Sequence, residues 1–140
     1  MSDVTDALEG QIQRRIIREA TKRGFLVQRI NSGITNGIAW NRWIPPDDFE
    51  YTDAERATVA IRPGGHVSGA WDLILIRSDV FMYVECKVAG GTLSDAQKVF
   101  GRVLRHVGVL HVVASSWADV QAVYTQTDYD DHDSWITAPA

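Results

Sequence analysis

Trp71-Asp-Leu-Ile-Leu-Ile76, Arg77-Ser-Asp-Val80 and Phe81-Met-Tyr-Val-Glu-Cys-Lys87 decide the fold. Two apolar runs rich in β-branched and aromatic residues flank a short polar turn, the pattern of an antiparallel hairpin. Pairing Arg77 with Val80 across the turn sets Ile76 opposite Phe81, Ile74 opposite Tyr83 and Asp72 opposite Glu85. Opposed residues hold their Cβ atoms about 4.5–5.5 Å apart, and like charges there destabilise a sheet. Both carboxylates sit among apolar neighbours, so desolvation adds to the repulsion. Such a pair calls for a cation, and a hard divalent ion takes oxygen ligands of this kind. Lys87 lies two residues past Glu85, on the same strand face and about 7 Å further along. Cys86 points the other way, into the core, and leaves its carbonyl at the rim as a further oxygen ligand. A divalent ion there would acidify a bound water and clamp a phosphate oxygen. Lys87 would orient the water and offset charge on the phosphorus oxygens. The alternative is an ordinary surface hairpin with Glu and Lys as neighbours.

Outward from the hairpin, Ser94 or Thr92 caps a helix from about Asp95 to Val107, with Val99, Val103 and Leu104 on its apolar face and Gly108 at its end. Val109–Ala114 reads as a buried strand, and Trp117–Tyr124 as a short final helix. Towards the N-terminus, Leu8, Ile12, Ile16 and Ala20 recur every four residues, one face of an amphipathic helix that Gly24 terminates. Phe25–Ile30 then reads as a strand. Residues 34–68 read as an insertion or long hairpin, in which Thr58–Ile61 is a candidate short strand. The order predicts a small α/β sandwich, one domain over 1–125 followed by an acidic tail, 126–140.

The chain has 140 residues, 45% hydrophobic and 23% charged, which fits one globular domain. The single cysteine excludes an internal disulfide and a cysteine-based zinc cage. No apolar run approaches the roughly 18 residues of a membrane span, and the acidic N-terminus is unlike a signal peptide. No P-loop or dinucleotide fingerprint occurs, so no nucleotide cofactor is expected. A cytoplasmic protein follows, with no membrane partner. The net charge of −4 argues at first against nucleic acid. That charge is unevenly placed. Residues 116–140 hold five acids (Asp119, Asp128, Asp130, Asp131, Asp133) and no Lys or Arg, which leaves the body at +1. The tail is either a solvated end or a phosphate mimic shielding a basic surface.

Gly69-Ala-Trp-Asp72, Glu85-Cys-Lys87 and Leu93-Ser-Asp-Ala-Gln97, in this order, resemble the PD-(D/E)xK nuclease superfamily, and within it the VRR-NUC family of small DNA-repair nucleases. Arg29-Ile-Asn-Ser-Gly33 and Gly108 fit the same pattern. The resemblance covers roughly residues 8–115 without the insertion. It departs at Trp71, where the name-giving motif has proline, and in the length of 34–68. It implies a restriction-endonuclease-like αβββαβ core with a mixed central sheet. It implies Mg²⁺ or Mn²⁺ held by Asp72, Glu85, the Cys86 carbonyl and Glu9, with Lys87 as the catalytic lysine and Gln97 beside the site. It also implies a homodimer cutting branched DNA, such as a four-way junction or flap, in a bacterial or phage-infected cell.

Several residues carry two readings. Glu9 is the acid completing the metal site or a first-turn acid answering the helix dipole. Gln97 is a site residue or an exposed helix residue. The stripe Arg14, Arg15, Arg18, Lys22 and Arg23, the stripe Lys98, Arg102 and Arg105, and Arg29, Asn31 and Ser32 are DNA contacts or solvated faces. Trp40 and Trp43 stack on bases or pack on their own domain. His66 contacts phosphate or has no role, and His106 and His111 are structural. The expected activity is a Mg/Mn-dependent endodeoxyribonuclease. The alternative is an inactive DNA-binding or regulatory module with a nuclease-like fold.

Overall fold

A computed structural model describes residues 3–30, 33–35, 38–40, 42–62, 67 and 69–126. The elements are α1 (Asp3–Lys22), β1 (Leu26–Arg29), β2 (Gly33–Thr35), β3 (Ile38–Trp40), α2 (Asp53–Thr58), β4 (Leu73–Arg77), β5 (Val80–Cys86), α3 (Asp95–Val107), β6 (Leu110–Ala114) and α4 (Trp117–Tyr124). A four-stranded mixed sheet runs in the order β1-β4-β5-β6, with helices on its faces. β1, β4 and β5 are antiparallel neighbours, and β6 lies parallel to β5. β2 and β3 form a separate two-stranded ribbon.

The hairpin has the register its turn predicts: Arg77 pairs with Val80, Ile76 with Phe81 and Ile74 with Tyr83. Arg77 fixes the turn. Its guanidinium forks onto Asp79 (2.8 and 3.1 Å), donates to the Arg23 carbonyl at 3.0 Å and stacks over Phe25. The end of α1 is thus tied to the hairpin tip. α1 itself stops where Gly24 turns to φ +85°. The Gly24 and Phe25 N–H groups donate to the Thr21 and Ala20 carbonyls, closing a Schellman motif.

One face of the sheet packs Leu73, Leu75, Met82, Val84 and Cys86 against Ile16 and Ala20 of α1 and Val120 and Val123 of α4. The opposite face meets α3 through Trp71, Phe100 and Leu104, with Tyr83 and Val113 at their border. Trp71 lies just before β4, 2% exposed, and its indole N–H donates to the Gln97 carbonyl at 3.0 Å. Its ring lies where only glycine fits on α3: a Cβ at Gly101 would stand 2.9 Å from Trp71 Cζ2.

The expected strand at 58–61 is absent. Thr52 and Glu55 close a capping box, which nucleates helix α2 through Thr58, and Val59 is its extended C-cap. Residues 42–62 are strapped along α3. Arg102 forks onto Glu55 (2.6 and 2.8 Å), donates to the Glu50 carbonyl and stacks over Phe49, while His106 Nε2 meets Asp48 Oδ1 at 3.0 Å. Trp43 takes the packing role, its ring 5.4 Å from that of Phe100. Among the described residues no helix is long and apolar enough to cross a membrane.

Candidate active site

The candidate side chains Glu9, Asp72, Glu85, Lys87 and Gln97 gather where α1, the start of β4, the end of β5 and the start of α3 meet. Each element delivers its residue for a local reason. The β4–β5 register, carried one step past Leu73–Val84, sets Asp72 across from Glu85. The period of two along β5 puts Glu85 and Lys87 on one face and sends Cys86 to the core, where it is 2% exposed. Ser94 caps α3 and so fixes Gln97 in its first turn.

Glu85 is the centre of the arrangement. It is 2% exposed, and its Oε2 accepts the Gln97 side-chain N–H at 2.9 Å and lies 3.9 Å from Lys87 Nζ. Lys87 Nζ also lies 4.0 Å from Glu9 Oε1, so the ammonium stands between an acid of α1 and one of β5. Asp72 Oδ2 accepts the Cys86 backbone N–H at 3.0 Å. Among the described residues, Glu85 Oε1 and Glu9 Oε2 are buried and find no hydrogen-bond donor.

Charge at the site is under strain. Burial, and then the Asp72 carboxylate, push Glu85 up to about 8. Burial likewise raises Asp72, against the Cys86 N–H and the Lys87 ammonium, which lower it. Burial raises the Cys86 thiol and keeps it protonated. With all groups ionised, Glu9, Asp72 and Glu85 face one ammonium, an excess of negative charge that a divalent cation would balance. The oxygen donors and the two orphaned carboxylate atoms suit a hard ion. Among the described residues no three His, Cys, Asp or Glu side chains form a ready metal cage. A cation there would draw on Asp72 and Glu85 and complete its shell with water and backbone oxygen, as Mg²⁺ commonly does. A cavity of about 140 Å³ opens beside Lys87, lined by Gly90, Gly91, Ser115 and Asp119.

The other sequence-derived candidates scatter. Arg14, Arg18 and Lys22 are exposed on α1. Arg29 donates to Gln13 Oε1 at 3.1 Å, Lys98 is exposed, and Arg102 is engaged by Glu55. Asn31, Ser32, His66 and the acidic residues 128–133 lie outside the described residues. His111 is buried beside Trp71 with its pKa lowered by burial, a structural histidine. Sequence reading passed over Trp71 and Gly101 as the pair that seats α3, though the Trp-Asp order before β4 was its signal. It also passed over Asp119, whose carboxylate accepts the Ser115 N–H at 2.9 Å and shapes the cavity. No family model matches the chain, and neither a curated protein nor a solved structure does.

Proposed function

We propose that the chain is a metal-dependent endodeoxyribonuclease of the PD-(D/E)xK type, similar to the VRR-NUC family, with a restriction-endonuclease-like core. The observation that carries this reading is the Glu85 carboxylate, buried between Lys87 and Gln97 with one oxygen lacking a hydrogen-bond partner among the described residues. A purely structural hairpin gains nothing from a buried carboxylate held near pH 8, whereas perturbed acids cluster at functional sites. A helix acid, two hairpin carboxylates, a lysine two residues on and a helix glutamine also stand in the order that the resemblance implies.

Asp72, Glu85 and the Cys86 carbonyl, with Glu9 beside them, would hold Mg²⁺ or Mn²⁺. The ion would supply Lewis acidity towards a phosphate oxygen and an acidified water. The protein's own groups do the rest. Lys87 offers its ammonium to the reacting phosphate oxygens. The Cys86 N–H and the Gln97 amide hold Asp72 and Glu85 in fixed orientations. Branched DNA is the proposed substrate, met by a two-fold dimer that presents paired sites, in the cytoplasm.

The test is cleavage of labelled linear, flapped and four-way DNA with Mg²⁺, Mn²⁺ or EDTA. The native chain should cut with metal alone, and Lys87→Ala and Glu85→Ala should not cut. No cutting by the native chain with either metal, or equal cutting by the variants, overturns the reading.

A further inference from the structure

Helix α1 presents two faces of different character. At about 100° per residue, Glu9, Ile16 and Ala20 turn towards the sheet, and Arg14, Arg15, Arg18 and Lys22 turn the opposite way. Ile16 and Ala20 are fully buried, and the four basic residues are exposed. The basic face therefore does not line the carboxylate site, and chemistry at Lys87 does not account for it.

Its charge is also largely unanswered. Glu19 pairs with Lys22 at 3.5 Å and Arg23 at 3.1 Å. Among the described residues no carboxylate lies within ion-pair distance of Arg14, Arg15 or Arg18. The face is grooved as well. One shallow groove of about 260 Å³ is lined by Gln11, Arg14, Arg15 and Arg18. A second, of about 200 Å³, shares Arg15 and Arg18, is lined on one side by Glu19, and runs to Ile12, Ser116 and Trp117. A ligand for this surface needs several negative charges in a row, with apolar or aromatic groups beside them.

The chain carries such a segment. Thr127-Asp-Tyr-Asp-Asp-His-Asp-Ser-Trp-Ile-Thr-Ala-Pro-Ala140 has four aspartates, two aromatic residues and no Lys or Arg. It departs from the right place. Tyr124, at the end of α4, packs its ring 5.2 Å from Phe25, which directly follows α1. The described chain, which ends at Gln126, therefore leaves the fold near the turn that closes α1. Fourteen residues span up to ~46 Å when extended, more than the ~30 Å length of a twenty-residue helix. Tethering raises the local concentration of the acids to the millimolar range, so weak exposed ion pairs act together.

We propose that segment 127–140 docks on the basic outer face of α1 in its own chain, with Asp128, Asp130, Asp131 and Asp133 against Arg14, Arg15, Arg18 and Lys22. The segment then stands where any external polyanion would bind. The proposal does not rest on the nuclease reading.

The test places a nitroxide on full-length Ser134→Cys, with the buried Cys86 left unlabelled, and reads paramagnetic broadening of backbone amides. The result expected is broadening of amides in 11–22 at low salt, and its loss at about 0.5 M salt, where exposed charges are screened. Replacing the four aspartates by Asn, or Arg14 and Arg18 by Glu, should each remove most of the broadening while leaving the other amide resonances in place. Absence of broadening on α1, broadening centred elsewhere, or broadening that persists in both charge variants overturns the proposal. So does broadening seen only between labelled and unlabelled copies, because the contact would then join two chains.

Discussion

Gln97 Nε2 donates to Glu85 Oε2 at 2.9 Å, while the same amide's oxygen accepts the Ser94 N–H at 2.9 Å. One side chain thus closes the capping box that starts α3 and orients the buried carboxylate at the site. Gln97→Glu keeps the helix-capping acceptor and replaces the donor with a second carboxylate. At pH 5 Glu85 carries its proton and donates to the new group; at pH 10, well above the value of about 8 to which burial pushes Glu85, both are ionised and repel. The variant should fold, fall further below the native melting temperature at pH 10 than at pH 5, and lose about 100-fold or more in DNA cleavage. Gln97→Ala, which loses half of the capping box, should be destabilised by about 1 kcal/mol at both pH values. Melting curves at the two pH values distinguish them. Native-like melting of Gln97→Glu at pH 10 would show that the bond to Glu85 carries no weight.

The protonation of Glu85 makes stability depend on pH. In the fold it holds its proton up to about pH 8, against 4.5 for an ordinary glutamate. Between those values the folded state binds more protons than the unfolded chain, so stability falls as pH rises. Asp72, raised by burial, acts in the same direction. His111, lowered by burial, acts in the opposite direction below 6.5. Glu85→Gln should therefore gain stability relative to the native chain from pH 5 to pH 8, on the order of a few kcal/mol at about 1.4 per pH unit. Millimolar Mg²⁺ should raise native melting at pH 8 and raise Asp72→Asn less. Denaturant titrations of the three proteins with and without metal decide it. An equal metal shift in Asp72→Asn counts against a site there.

What the sequence makes legible is whatever local geometry sets. The hairpin register follows from one short turn, so the opposition of Asp72 and Glu85 is reached by counting. α3 is bracketed by Ser94 and Gly108, and its bounds, Asp95–Val107, are the ones its caps announce. α2 is not legible from its β-branched end, Thr58-Val59, because the signal lies upstream in the Thr52–Glu55 box. Glu9 and Gln97 meet the hairpin only because α1 and α3 pack on opposite faces of the sheet. Periodicity cannot supply that juxtaposition, and for these two residues the family resemblance supplied the expectation. Arg102 falls in a stripe with Lys98 and Arg105, and nothing along α3 reveals that Glu55, 47 residues earlier, folds back onto it.

The Trp71–Gly101 contact makes a sharp packing prediction. A methyl at Gly101 would stand 2.9 Å from a rigid indole ring that is 2% exposed and hydrogen-bonded to the Gln97 carbonyl. The ring cannot swing aside without releasing that bond. Gly101→Ala gains helix propensity of about 1 kcal/mol, and overpacking costs about 1–3 kcal/mol. The net expectation is lower stability, with reduced cleavage because Trp71 adjoins Asp72 and Gln97 adjoins Glu85. A higher melting temperature in Gly101→Ala would mean that α3 seats itself without this contact.

Arg102 separates a structural role from a phosphate-binding one. Its guanidinium makes a fork onto Glu55 and stacks 4.2 Å from the Phe49 ring centroid. Arg102→Lys preserves the charge and loses both the planar fork and the stack. If the residue chiefly straps 42–62 to α3, the lysine variant should expose that segment: faster proteolysis between 45 and 60, faster amide exchange in α2, and a loss of about 1–2 kcal/mol, within the range of charged hydrogen bonds. A residue serving chiefly as a phosphate contact would instead keep most of its function as lysine, because a point charge satisfies a phosphate. Proteolysis of the lysine variant therefore separates the two roles, and DNA affinity of Arg102→Gln checks the result, because only a phosphate contact loses affinity with the charge. The fork geometry leads us to expect the first: a loosened segment, with DNA affinity changed by no more than about twofold.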